Sequence, residues 1–166
     1  MNRIFRRIHE RIENTPDMVC LSAMGENKNI TLRELDALSG KVCRYLRDHG
    51  IGREDFVNIL LPRGVETFIA MLGVWKAGAA LVVLEEGYPA ERIAFIQKDC
   101  GCRLIIDGAA WEEILRCEPL DGFTEVNEHD AAFAVYTSGT TGKPKGVLHK
   151  YGNLDTIAKS TRDGEK

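Results

Sequence analysis

Near the start of the chain, Ile4, Phe5, Ile8 and Ile12 recur at helical spacing while Arg6, Arg7, Glu10 and Arg11 fill the opposite face. This predicts an amphipathic helix that needs a partner surface. Asn14-Thr15-Pro16-Asp17 breaks it, a short apolar strand runs from Met18 to Ala23, and Gly25-Glu26-Asn27-Lys28 makes a polar turn. Thr31-Leu32-Arg33-Glu34 fits a capping box: the Thr31 hydroxyl reaches the Glu34 amide while the Glu34 carboxylate reaches back. Leu35, Leu38, Val42, Tyr45 and Leu46 then form one apolar stripe, to be read as core. His49-Gly50 ends that helix, Gly50 supplying the left-handed backbone of a C-terminal cap.

Beyond this point short apolar runs alternate with helical patterns. Phe56 to Leu61, Ala79 to Leu84, Arg103 to Ile106 and Ala131 to Tyr136 read as strands. Between them, Val65, Phe68, Ile69 and Leu72 form a helical face; Glu91 to Lys98 is helical, with Pro89 suited to its start; Trp111 to Arg116 is a short helix. Strands that are apolar throughout and separated by helices indicate a parallel sheet covered on both faces, hence an α/β architecture: a largely parallel sheet flanked by helices. Glu118 to Asp130 is the expected surface connection.

Composition narrows the function. With 166 residues, 44% hydrophobic and 28% charged, the chain can bury the core of one globular domain. The net charge of −3 supplies no global positive field for nucleic acid or an anionic membrane, so any polyanion must be held by a local site. No apolar run approaches the roughly 20 residues that span a bilayer. The N-terminus lacks the continuous apolar stretch and cleavage site of a secretory signal, which makes a cytoplasmic location the default expectation. Cys20, Cys43, Cys100, Cys102 and Cys117 form no disulfide framework, and Cys100-Gly101-Cys102 lacks the further ligands of a metal site; they are expected to be reduced, mostly packed thiols.

The local site is Tyr136-Thr137-Ser138-Gly139-Thr140-Thr141-Gly142-Lys143-Pro144-Lys145-Gly146-Val147, directly after an expected buried strand. Its glycines let successive amides curl around an anion, its hydroxyls add short donors, and its lysines bring charge to phosphate oxygens. Each charge-assisted bond is worth about 1.5–3 kcal/mol, so three or four could hold a triphosphate tail despite the net charge. This is not the G-x-x-x-x-G-K-[ST] loop, because Pro144 stands where that pattern requires glycine. Val147-Leu148 implies that the segment leads into another strand, so the cradle lacks a helix dipole and must rely on its own donors. A flexible polar loop would share this composition.

The ordered string resembles the phosphate-loop signature of the adenylate-forming superfamily, which includes acyl- and aryl-CoA synthetases, luciferases and the amino-acid-activating domains of nonribosomal peptide synthetases. Its pattern Y-T-S-G-[ST]-T-G-x-P-K-G-V is matched throughout by Tyr136 to Val147. Trp75-Lys76-Ala77-Gly78-Ala79-Ala80 with Tyr88-Pro89-Ala90-Glu91-Arg92-Ile93 is similar to the K-A-G-x-A…Y-P-x-E-R-I signature of amino-acid-activating domains, and Ile30 to Leu35 is similar to the family's T-Y-x-E-L segment. Val83-Leu84-Glu85-Glu86-Gly87 departs from the frequent P-[IL]-D-P stretch, which weakens the subfamily assignment only.

The resemblance implies that residues 1–166 form the N-terminal part of the large domain of an adenylate-forming enzyme, without its C-terminal domain. It implies a reaction in which a carboxylate, here an amino acid, attacks Mg-ATP to give an acyl-adenylate and pyrophosphate. The acyl group then passes to a carrier-protein phosphopantetheine or CoA thiol. Thr137, Ser138, Thr140 and Thr141 would donate to phosphates, Gly139, Gly142 and Gly146 would shape the backbone, and Lys145 would be the leading charged contact. Lys143, at the variable position, is expected to be solvated. Family members run to roughly three times this length, so the adenine pocket, the carboxylate pocket and the magnesium-binding acid are expected elsewhere. Two alternatives stay open: an acyl- or aryl-CoA ligase, and a truncated non-catalytic nucleotide-binding or interaction module. Adenylation needs no base to ionise a carboxylic acid, whose reference pKa is about 4, so His149 is expected to be a strand-end or surface histidine.

Overall fold

The computed structural model describes residues 3–23, 29–138, 143–154 and 156. Its elements follow the chain as α1 (Arg3–Asn14), β1 (Val19–Ser22), β2 (Asn29–Thr31), α2 (Leu32–Asp48), β3 (Phe56–Ile59), α3 (Val65–Lys76), β4 (Ala80–Val83), α4 (Ala90–Asp99), β5 (Cys102–Ile106), α5 (Gly108–Leu115), β6 (Ala131–Ser138) and β7 (Pro144–Lys150). The expected alternation is observed. The polar turn expected at Gly25 to Lys28 lies outside the described residues.

Local chemistry sets the element ends. The capping box forms as read: the Thr31 amide donates to Glu34 Oε2 at 2.8 Å and the Glu34 amide donates to the Thr31 hydroxyl at 3.3 Å. The Thr31 amide, with the Thr31 hydroxyl that also donates to Glu34 Oε2 at 2.8 Å, holds the Glu34 carboxyl below its usual range. Gly50, with φ 70°, takes the left-handed conformation just past α2. Asp107 caps α5 by accepting from the Ala110 amide at 3.0 Å.

The main sheet has strand order β5-β3-β4-β6-β7, with β5, β3, β4 and β6 parallel and β7 antiparallel to β6. The chain moves from β3 to β4 in one direction and from β4 to β5 in the other. Right-handed crossovers therefore send α3 and α4 to opposite faces. On one face, Val57, Ile59, Leu81 and Ile106 pack against Val42, Leu46, Ile69, Val74 and Ile114 from α2, α3 and α5. On the other, Val82 and Leu84 pack against Ile93, Phe95 and Ile96 of α4. The result is three layers over β5, β3 and β4. Towards β7 the covering thins, and Val147 and Leu148 are exposed on opposite faces.

Two expectations need correction. Phe68 does not join the buried face of α3 and is 56% exposed. That helix is apolar almost all round, and its buried set, including Val65, Ile69, Leu72 and Lys76, turns Phe68 outwards. The connection before β6 is also more than a surface link. The Leu120 amide donates to the Gly40 carbonyl at 3.0 Å and the Thr124 amide to the Lys76 carbonyl at 2.9 Å. Phe123 stacks on Phe5 at 4.7 Å, and Phe5 meets the Tyr151 ring edge-on at 5.5 Å. This strap and the helical turn at 151–154 thus supply the partner surface that α1 needs.

Candidate functional site

The signature occupies a β-hairpin at the carboxyl ends of the parallel strands. Thr137 stands opposite Lys145 and Ser138 opposite Pro144, so the arms converge on the loop. Thr137, Lys143 and Lys145 are exposed. Gly139, Thr140, Thr141 and Gly142 lie outside the described residues, as does the polar end beyond residue 156. The expected strand–loop–strand arrangement is therefore present, and the sequence-predicted residues brought together on described backbone are Thr137, Ser138, Lys145 and Gly146.

Side chains alternate along this hairpin. Phe133 packs into the α3-side core, whereas Ala134 and Tyr136 pack against the α4-side cluster. Parity puts Thr137 and Lys145 on the α3 side with Val135 and Val147. Tyr136 projects the other way, and its hydroxyl donates to Asp99 Oδ2 at 2.7 Å. Burial, with the Asp99 carboxylate, pushes its phenol pKa up, so it remains a protonated donor at neutral pH. Gly146, directly opposite Tyr136, lies so close to the ring that a Cβ there would sit 2.9 Å from Cζ.

Beside the hairpin opens a groove of about 780 Å³, lined by Leu61, Met71, Val83, Phe133 and Val135 and rimmed by Arg63 and Glu85. The Arg63–Glu85 ion pair, at 2.5 Å, joins the loops that follow β3 and β4. Those loops diverge to opposite faces of the sheet, the kind of crevice where open α/β sheets bind ligands. His149 stacks on Phe133 with centroids 4.4 Å apart, as befits a packed strand histidine.

The upstream signature residues do architectural work. Lys76 is buried, and its ammonium donates to Asp36 Oδ1 at 2.6 Å and to the Asp36 carbonyl at 2.8 Å. Gly78, at φ 79°, makes the turn into β4 with Thr124 packed 3.0 Å from where a Cβ would be. Arg92 lies over the Tyr88 ring at 4.1 Å at the start of α4. Sequence reasoning had no signal for the Tyr136–Asp99 and Lys76–Asp36 pairings, which join residues far apart in the chain.

The cysteines are free thiols, and burial pushes Cys20, Cys43, Cys100 and Cys102 up, favouring the protonated form. Among the described residues, no three His, Cys, Asp or Glu side chains converge to hold a metal ion. The described residues thus furnish no magnesium cage of carboxylates. No helix among them is long and apolar enough to cross a membrane.

Comparison with known proteins agrees with this fold. Gramicidin S synthase 2 of Brevibacillus brevis is 32% identical over 98% of the chain, and tyrocidine synthase 2 of Brevibacillus parabrevis is 33% identical over 98%. The chain spans only about 4–5% of the length of these relatives. Among solved structures, the Klebsiella oxytoca NpsA N-terminal subdomain in complex with 3-hydroxyanthranilyl-AMSN matches with a TM-score of 0.79 and 27% identity, over 91% of this chain and 41% of that one. A double mutant of o-succinylbenzoate CoA synthetase from Bacillus subtilis, bound with a product analogue, matches with a TM-score of 0.84 and 25% identity, over 95% and 36%. The AMP-binding enzyme family model covers residues 8–164, and the chain belongs to that family.

Proposed function

We propose that this chain is the ATP-phosphate-binding part of a ligase that activates an amino acid as its adenylate and passes it to a thiol. The observation that carries the reading is the hairpin, which sets Thr137 against Lys145 at the carboxyl ends of parallel strands. In the reaction, a carboxylate oxygen attacks the α-phosphorus, the bond from that phosphorus to the bridging oxygen breaks, and pyrophosphate departs with the accumulating charge. Lys145 and the loop hydroxyls would stabilise that charge, and Gly139, Gly142 and Gly146 would let amides approach it. Magnesium, when bound to the nucleotide, would share the neutralisation.

The similarity to peptide synthetases over nearly the whole chain supports an amino acid as substrate and a carrier-protein phosphopantetheine as acceptor. The similarity to a CoA synthetase supports the second reading, an aryl or acyl substrate with CoA as acceptor. Residues 1–166 would contribute the phosphate grip, while the carboxylate and adenine pockets come from other parts of a complete enzyme.

The test is a titration of the 166-residue chain with Mg-pyrophosphate, beside an assay of amino-acid-dependent ATP–pyrophosphate exchange. Binding without exchange is expected, and Lys145→Ala should weaken binding about tenfold, the share of one charge-assisted bond. Pyrophosphate binding that ignores Lys145→Ala would remove the role assigned to that lysine. Exchange by the chain alone would mean that it holds a working site.

A further inference from the structure

Tyr136 opens the signature without an assigned task, yet it touches three parts of the molecule. Its backbone belongs to β6, its ring lies against Gly146 of β7, and its hydroxyl is bonded to Asp99, the last residue of α4. Thr137 follows it directly and Lys145 directly precedes Gly146, so the ring contact is flanked by the first donor of one arm and the lysine of the other. Registered pairing of the hairpin to the rest of the sheet stands at Leu81↔Phe133, whereas β6 and β7 pair on to Ser138↔Pro144. The distal hairpin thus reaches past its strand support, and the Tyr136–Asp99 bond ties this part to a helix.

We propose that Tyr136 is a positioning residue: bonded to Asp99 and laid against Gly146, it fixes the placement of Thr137 and Lys145 so that the hairpin meets a pyrophosphate group with both arms preset. The inference rests on the phosphate-loop reading and adds to it how the loop is held. Without the tether the hairpin samples placements in which its arms are misaligned. Apparent affinity then falls in proportion to the competent fraction. Tyr136→Phe removes the hydroxyl and keeps the ring on Gly146, while Asp99→Ala removes the acceptor at an exposed position.

Both variants and their combination would be made in the 166-residue chain. Three properties would be followed: Mg-pyrophosphate affinity by calorimetry, residue-resolved amide hydrogen exchange, and the thermal midpoint. Each single change should weaken affinity about fivefold and the pair no further, since both remove one bond. Exchange should quicken at the Thr137 and Lys145 amides and stay unchanged in β3 and α2, which a general loss of stability would not produce. Unchanged affinity and unchanged hairpin exchange in both variants would overturn the proposal, as would a double variant that loses the product of the two single effects. If the unsubstituted chain binds no pyrophosphate, the phosphate-loop reading fails. Exchange alone then decides the tether: faster at the hairpin upholds it, unchanged overturns it.

Discussion

Single residues here draw most of their meaning from one partner each. Asp130 accepts Arg53 Nε at 2.9 Å and Nη2 at 3.0 Å, and also accepts the Asn127 amide at 2.8 Å. The Arg53 bonds hold its carboxyl below the ordinary aspartate range, with the Asn127 amide helping. A depressed folded-state pKa contributes stability that is fully present above the unfolded value of about 4 and is lost as pH falls through the folded one. Stability should therefore decline below about pH 4, and Asp130→Asn should flatten that part of the profile while lowering stability at neutral pH. Urea melts at a series of acidic pH values would check this; an unaltered acid slope in the variant would assign the decline to other carboxylates. Lys76 shows the complementary case: a cation taken out of water because Asp36 offers both a carboxylate and a carbonyl oxygen.

At the scale of elements, helix α3 packs on α2 through a close approach at Gly73. A Cβ there would lie 2.3 Å from Val42 Cβ and 2.8 Å from the Ser39 carbonyl oxygen. Gly73→Ala gains about 1 kcal/mol of helix propensity. The overpacking it forces typically costs about 1–3 kcal/mol, and here it strikes backbone as well as side chain. The expected outcome is net destabilisation, seen as a thermal midpoint lower by roughly 5 °C; an unchanged or raised midpoint would show that the two helices can part cheaply.

The elements themselves were largely legible in the sequence. The box at Thr31–Glu34, the cap at Gly50 and the alternation of apolar runs with helical stripes are local signals, and each is present. Illegible were facts decided by distant partners. No periodicity marks Phe68 as the exposed member of an apolar helix, or predicts that Phe123 of an irregular strap closes over Phe5. The hairpin was legible because Val147-Leu148 after Pro144 reads as a strand. The Tyr136–Asp99 bond was not, because it joins residues 37 positions apart in the chain.

The molecule as a whole is unevenly covered. Val83, Val135, Val147 and Leu148 are between 41% and 51% exposed, gathered around the groove and the β7 side of the sheet. A strand that presents apolar side chains on both faces beside a free edge invites association. The 166-residue chain should self-associate as its concentration rises, and Leu148→Lys with Val147→Lys should suppress this. Light scattering over a concentration series would check it; a chain monomeric throughout would show that this surface tolerates water.

The strand order also bears on how the chain matures during its synthesis. Translation delivers β3, β4 and β5, together with α2, α3 and α5, before any part of β6 exists. Synthesis runs from the N-terminus, so the residues of the three-stranded core and its helices leave the ribosome before those of the glycine-rich hairpin. The hairpin then pairs with β4 at Leu81↔Phe133, where Phe133 adds to the core on the α3 side. Substitutions at its exposed far end, such as Thr137 and Lys145, are therefore expected to leave the pairing of β3, β4 and β5 intact.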